Sequence, residues 1–143
     1  MLRLTKIYRF SASHRLHVDA WSDERNRETF GKCNYPYGHG HNYTLELSVE
    51  GAADPASGLC FDRAELDRLA NDAVLSKISH VNMNLLPEFS DKTASTENLA
   101  VVIAGWLQEG WNTLFPDARA RLSRVRIVET PRNFFELAFD DKD

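Results

Sequence analysis

Residues 30–51 read "FGKCNYPYGHGHNYTLELSVEG". The second half alternates: His41, Tyr43, Leu45, Leu47 and Val49 fall on one face, and Asn42, Thr44, Glu46, Ser48 and Glu50 on the other. That period of two predicts a half-buried strand over 41–51, closed by Gly51 and the turn residues "AADPASG". The first half crowds Cys33, His39 and the glycines 31, 38 and 40 into the approach to it. His39 and His41 are two apart, so a strand beginning at the first of them carries both imidazoles on the apolar face.

A second alternating run, "RLTKIYRFSASHRL" at 3–16, puts Leu4, Tyr8, Phe10, Ala12, His14 and Leu16 at even positions. It predicts another half-buried strand. Asp62 is a good N-cap for "RAELDRLANDAVLSKI", in which Leu66, Leu69, Ala70, Ala73 and Val74 follow a helical stripe. Ser95 or Thr96 can cap a second, longer helix with Leu99, Val102, Ile103, Trp106, Leu107 and Leu114 on its apolar side, ended by Pro116. "LSRVRIVET" and "FFELAFD" then read as a hairpin turning at "PRN". The order ββααββ predicts an α+β fold: a four-stranded antiparallel sheet with two helices on one face. Residues 1–143 read as one domain, with no repeat or linker. Such a sheet has two open edges, which proteins usually cover or pair.

Composition narrows the classes of function. Apolar residues make up 43% and charged ones 27%, and no apolar run approaches the roughly 18 residues of a membrane span. "MLRLTKIYRF" lacks a signal-peptide core, so a cytoplasmic protein is expected. A net charge of −4 gives no general attraction to nucleic acid. The basic cluster Arg25, Arg27 and Lys32 leaves room for a small anionic substrate. Cys33 and Cys60 form no C-x-x-C pair and read as free thiols.

Pairing the first two strands with their apolar faces inward brings His14, His39 and His41 to one side of the sheet. Three half-buried imidazoles leave ring nitrogens without partners, and a metal satisfies them. Zinc suits imidazole, and a three-His site leaves a fourth position for water or substrate. Cys33 as a fourth ligand is the structural alternative. His17 has the opposite parity and is expected in solvent; His80, in "KISHVNMNLLP", follows the first helix on an irregular segment. Glu129 shares parity with Val125 and Ile127, so it extends an apolar face. It is either a strand end reaching solvent or an anchor for a ligand with paired N–H donors.

In "FSASHRL", "FGKCNYPYGHGHNY", "DPASG", "SHVNMN", "STENLA" and "VRIVET", in that order, the chain resembles the 6-pyruvoyltetrahydropterin and 6-carboxytetrahydropterin synthase family. The resemblance implies the tunnelling fold, in which three subunits join sheets into a barrel and two trimers stack into a homohexamer with sites at subunit interfaces. It implies zinc on His14, His39 and His41, with Mg2+ as a candidate additional cation, and Cys33 as the base. It also implies His80 as the partner of Cys33, Glu129 as the pterin anchor, and Thr96 and Glu97 in the pocket wall. The substrate implied is 7,8-dihydroneopterin triphosphate, converted by a carbon–oxygen lyase reaction to 6-pyruvoyltetrahydropterin in tetrahydrobiopterin biosynthesis. Alternatives are the 6-carboxy product of queuosine biosynthesis, or a pterin- and zinc-binding homologue without catalysis. Five residues between Cys33 and His39 resemble the pyruvoyl-forming branch. Ser79 departs from the family, which commonly has Asp immediately before the histidine at this position.

Overall fold

The computed structural model describes residues 1–116 and 119–140. Strands β1 (Leu2–His14) and β2 (His39–Gly51) run antiparallel in unbroken register, from Leu2 opposite Gly51 to His14 opposite His39. Even residues of β1 and odd residues of β2 turn inward, as their alternation predicts: Phe10, Ala12, Tyr43, Leu45, Leu47 and Val49 are all buried. The outward face carries ion pairs instead, including Arg126 with Glu46 and Arg121 with Glu50.

Strands β4 (Ala120–Thr130) and β5 (Asn133–Ala138) form the expected hairpin. Among the described residues the sheet has five strands rather than four, in the order β3-β1-β2-β4-β5. The addition, β3 (Val81–Asn82), is two residues long and pairs parallel with Ala12 and Ser13. It is too short to carry an alternation. It forms because the chain leaving the helical layer passes the free edge of β1, where the His80 N–H donates to the Ser11 carbonyl at 2.6 Å. His80 takes a left-handed φ of 60° to do so. Among the described residues, nothing beyond that contact pairs with the outer edge of β1, and no strand pairs with the outer edge of β5.

The helices cover the inward face. α2 (Arg63–Ala70) is capped by Asp62, whose carboxylate accepts from the Ala64 N–H. It widens into a π-turn over Asn71–Leu75 and ends in α3 (Ser76–Ile78). The wider turn keeps Leu66, Ala70, Val74 and Ile78, each four residues apart, on the buried side; a straight helix of 3.6 residues per turn would carry them round it. α4 (Thr96–Leu114) begins at Ser95, whose hydroxyl accepts from the Asn98 N–H, and buries Leu99, Val102, Ile103, Trp106 and Leu107 against the sheet.

One helix has no apolar stripe to announce it. α1 (Asp23–Phe30, "DERNRETF") buries only Asn26. The Asn26 side chain accepts from the Val18 N–H at 2.8 Å and donates to the Val18 carbonyl at 2.9 Å and to the Ser22 carbonyl at 3.1 Å. Ser22 caps the helix and Trp21 stacks on Phe30. Polar bonds hold this segment in place. A 3-10 turn, Gly31–Asn34, follows it and carries Cys33.

Candidate metal centre

The register of β1 and β2 builds the centre. His14 lies opposite His39 and Ala12 opposite His41, so three imidazoles meet at the end of the inward face. Gly38 makes the turn into β2 possible: its φ is +72°, and an added Cβ would stand 2.7 Å from the His14 carbonyl oxygen. Gly40 meets only ordinary contact.

His14 is 2% exposed, and its Nδ1 donates to the Ala94 carbonyl oxygen at 2.7 Å. That bond fixes the tautomer and leaves a lone pair on Nε2. His14 Nε2 faces His39 Nε2 at 3.2 Å, and one ring nitrogen from each of the three histidines lies within 4.8 Å of the others. His41 Nε2 is buried without a hydrogen-bond partner. A tetrahedral zinc with Zn–N bonds of about 2.0–2.1 Å separates its ligand atoms by about 3.3 Å, which the His14–His39 spacing matches. The donor set and the orphaned nitrogen fit such an ion. Burial lowers the pKa of His14 and of His39, and neighbouring imidazoles add to this: chiefly His39 acting on His14, and His41 on His39. The neutral form that binds metal is the favoured one.

Cys33 is half-buried and is not part of the three-His group, so among the described residues no fourth side chain joins the three histidines. Burial pushes its thiol upward, and the Glu129 charge pushes it further. The protein atoms around Cys33 therefore favour the thiol over the thiolate.

Glu129 is drawn inward, with 15% of its side chain exposed, and its carboxylate lies 4.0 Å from His41 Nε2. It accepts a hydrogen bond from the Thr96 hydroxyl. Its strand position explains the placement. Val128 pairs with Phe134 and Thr130 with Asn133, so Glu129 is the extra residue of a bulge with no opposite number on β5. Thr96 is buried, whereas Glu97 on the next position of α4 is exposed.

The structure does not bring every predicted residue together. His80 is exposed and lies in an open hollow with Ser11, Ser13, Asn42 and His41; no hydrogen bond joins it to Cys33 within the chain. His17, expected in solvent, is 19% exposed, and its Nδ1 accepts from the Asn34 side-chain amide at 2.9 Å. The chain bends inward after β1 ends, so strand parity no longer governs it.

One residue of the site is hidden in the alternation. Tyr43 is 1% exposed, stacks on Phe10 and buries a hydroxyl that has no hydrogen-bond partner. Burial and then the Glu129 charge raise its pKa. The neighbouring Thr96 favours the ionised form slightly, but its own proton is committed to Glu129. Only the polar handle of tyrosine could have marked this position among the aliphatic residues that share its face.

The family described as 6-pyruvoyl tetrahydropterin synthase matches residues 3–138. The 6-pyruvoyl tetrahydrobiopterin synthase of Homo sapiens is 41% identical over 125 residues, covering 87% of this chain and 82% of that protein. That of Poecilia reticulata is 39% identical over 132 residues, covering 91% and 85%. The solved structure of Caenorhabditis elegans 6-pyruvoyl tetrahydropterin synthase superposes with a TM-score of 0.85 at 34% identity, covering 97% of this chain and 96% of that one.

Proposed function

This chain belongs to the 6-pyruvoyl tetrahydropterin synthase family, and from that membership we propose that it converts 7,8-dihydroneopterin triphosphate to 6-pyruvoyltetrahydropterin with elimination of triphosphate. The observation that carries this reading is the three-His cluster, with Glu129 4.0 Å from His41 Nε2 and Cys33 close enough to feel the Glu129 charge.

His14, His39 and His41 are the proposed zinc ligands. A zinc ion held there would supply positive charge that favours a neighbouring thiolate and stabilises negative charge developing on the substrate side chain. Glu129 accepts the paired N–H donors of the aminopyrimidinone ring, and Thr96 holds that carboxylate in place. Cys33 moves protons along the side chain. As one leaves the carbon next to the phosphate-bearing one, the C–O bond to triphosphate breaks and its electron pair departs with the triphosphate. The redox change is internal to the substrate, so the reaction needs no separate redox cofactor.

The open edges of β1 and β5 support the trimer of joined sheets, stacked into a hexamer, that the family resemblance implies. In that assembly the exposed His80 and Glu97 act at a site shared with another subunit. A cytoplasmic location is part of the same proposal; among the described residues no helix is long and apolar enough to cross a membrane.

The test is to incubate the zinc-loaded protein with 7,8-dihydroneopterin triphosphate and identify products by mass spectrometry, beside a Cys33→Ala control. A pyruvoyl product is expected from the unmodified protein alone. A 6-carboxy product would assign the protein to the other branch. No conversion, with zinc and pterin still bound, would make it a binding homologue, the reading that Ser79 beside the exposed His80 favours.

A further inference from the structure

Tyr43 buries a hydroxyl that the fold does not use. Its ring is a core group, stacked on Phe10 with centroids 5.0 Å apart and planes 15° from parallel. The hydroxyl goes into the core with the ring and makes no hydrogen bond. A buried donor without an acceptor is costly, and phenylalanine would fill the same stack without that cost.

Strand register sets the hydroxyl beside the anchor carboxylate. Thr44 pairs with Val128 at the end of the β2–β4 ladder, so Tyr43 and Glu129 are the next residues along the two antiparallel strands, and both turn inward. The Glu129 charge and the Thr96 hydroxyl both act on the Tyr43 phenol. Thr96 gives its single proton to Glu129. A hydroxyl oxygen that donates still has lone pairs, so the Thr96 oxygen is an acceptor standing next to a donor that lacks one.

We propose that Tyr43 is a positioning residue for the ligand anchor: with the site filled, its hydroxyl donates to the Thr96 oxygen and completes a relay from Tyr43 through Thr96 to Glu129. Ligand N–H groups arriving at Glu129 compete with Thr96 for the carboxylate oxygens. A Thr96 oxygen held from behind keeps its proton aimed at the carboxylate, and hydrogen bonds in series strengthen one another. With both hydroxyl protons directed toward Glu129, the carboxylate is held as an acceptor. The relay therefore selects a ring edge with two adjacent donors, an aminopyrimidinone, over one in which an oxo group replaces the amino group. The identity of the ligand rests on the proposed function; the unpaired hydroxyl beside Thr96 and Glu129 does not.

The test measures 7,8-dihydroneopterin affinity by calorimetry in the zinc-loaded protein and in Tyr43→Phe, Thr96→Val and the double variant. Tyr43→Phe should bind about fivefold more weakly, the worth of one neutral hydrogen bond, and should add nothing in the Thr96→Val background. Binding of lumazine, in which an oxo group replaces the 2-amino donor, should be the same in Tyr43→Phe and the unmodified protein, so the preference for the pterin narrows. Zinc content should be equal in every variant, although the Tyr43 ring borders His41 with centroids 5.5 Å apart. Urea unfolding of the ligand-free protein should find Tyr43→Phe at least as stable, because it loses a hydroxyl that had no partner. Undiminished dihydroneopterin affinity in Tyr43→Phe, or an equal loss with and without Thr96, would overturn the proposal. So would a destabilised ligand-free variant, since its hydroxyl would already be bonded in the fold. If the affinities follow the relay but dihydroneopterin triphosphate gives no product, the positioning role stands and the assigned reaction fails.

Discussion

The Thr96 hydroxyl donates to the Glu129 carboxylate, tying the first residue of α4 to the bulge of β4. The helical layer thereby orients a carboxylate that belongs to the sheet. Thr96→Val should lower affinity for dihydroneopterin by about tenfold through loss of this charge-assisted bond, and Glu129→Ala by more. Both should retain zinc. Fluorescence titration with metal analysis checks this, and an unchanged affinity in Glu129→Ala would remove it as the anchor.

The histidine cluster should make the metal-free protein acid-sensitive. Burial lowers His14 and His39 below the ordinary value of 6.5, so each binds a proton more readily unfolded than folded. Unfolding is therefore favoured as pH falls. Stability should begin to drop near pH 6.5 and level off only below the lowered folded values. Urea unfolding of the metal-free protein between pH 5 and 8 measures this, and His14→Asn should flatten the slope.

Cys33 is coupled to Glu129 by charge, not by a bond. In a metal-free Cys60→Ser background, where Cys33 is the remaining thiol, Glu129→Gln should speed alkylation by iodoacetamide at pH 8 by lowering the thiol pKa. A rate that does not respond would show the two groups to be independent. In the zinc-loaded protein, Cys33→Ala should reduce turnover at least about 100-fold with zinc retained, since the thiol lies outside the three-His group that could hold the ion.

Ser79 can give His80 a hydrogen bond but not a full negative charge. Ser79→Asp should raise turnover and move the pH–rate limb of the imidazole upward. An identical profile in the variant would show that His80 takes no part.

Where side chains alternate, the sequence was readable. The parity of His14 with Phe10 and Ala12, and of His41 with Leu45, is enough to bring the three histidines to one face. Glu129 was legible as a carboxylate on an apolar face, but its bulge was not, because an extra unpaired residue leaves no mark in a period of two. α1 escaped for the opposite reason: a helix anchored by Asn26 and Ser22 has no apolar stripe to read. β3 depends on one backbone bond between distant residues, His80 and Ser11. His17 lies past the end of β1, where parity ceases to apply.

The manner in which α1 is anchored also sets how it opens. Its attachments include hydrogen bonds made by Asn26 and Ser22, the stacked Trp21–Phe30 pair and the Arg25 guanidinium over the Trp21 ring, whereas α4 is fastened by a row of aliphatic and indole groups. Loss of those few bonds should release α1 while the sheet stays paired. The backbone amides of residues 23–30 should therefore exchange with deuterated solvent far below the free energy of global unfolding, as a unit separate from β2 and α4.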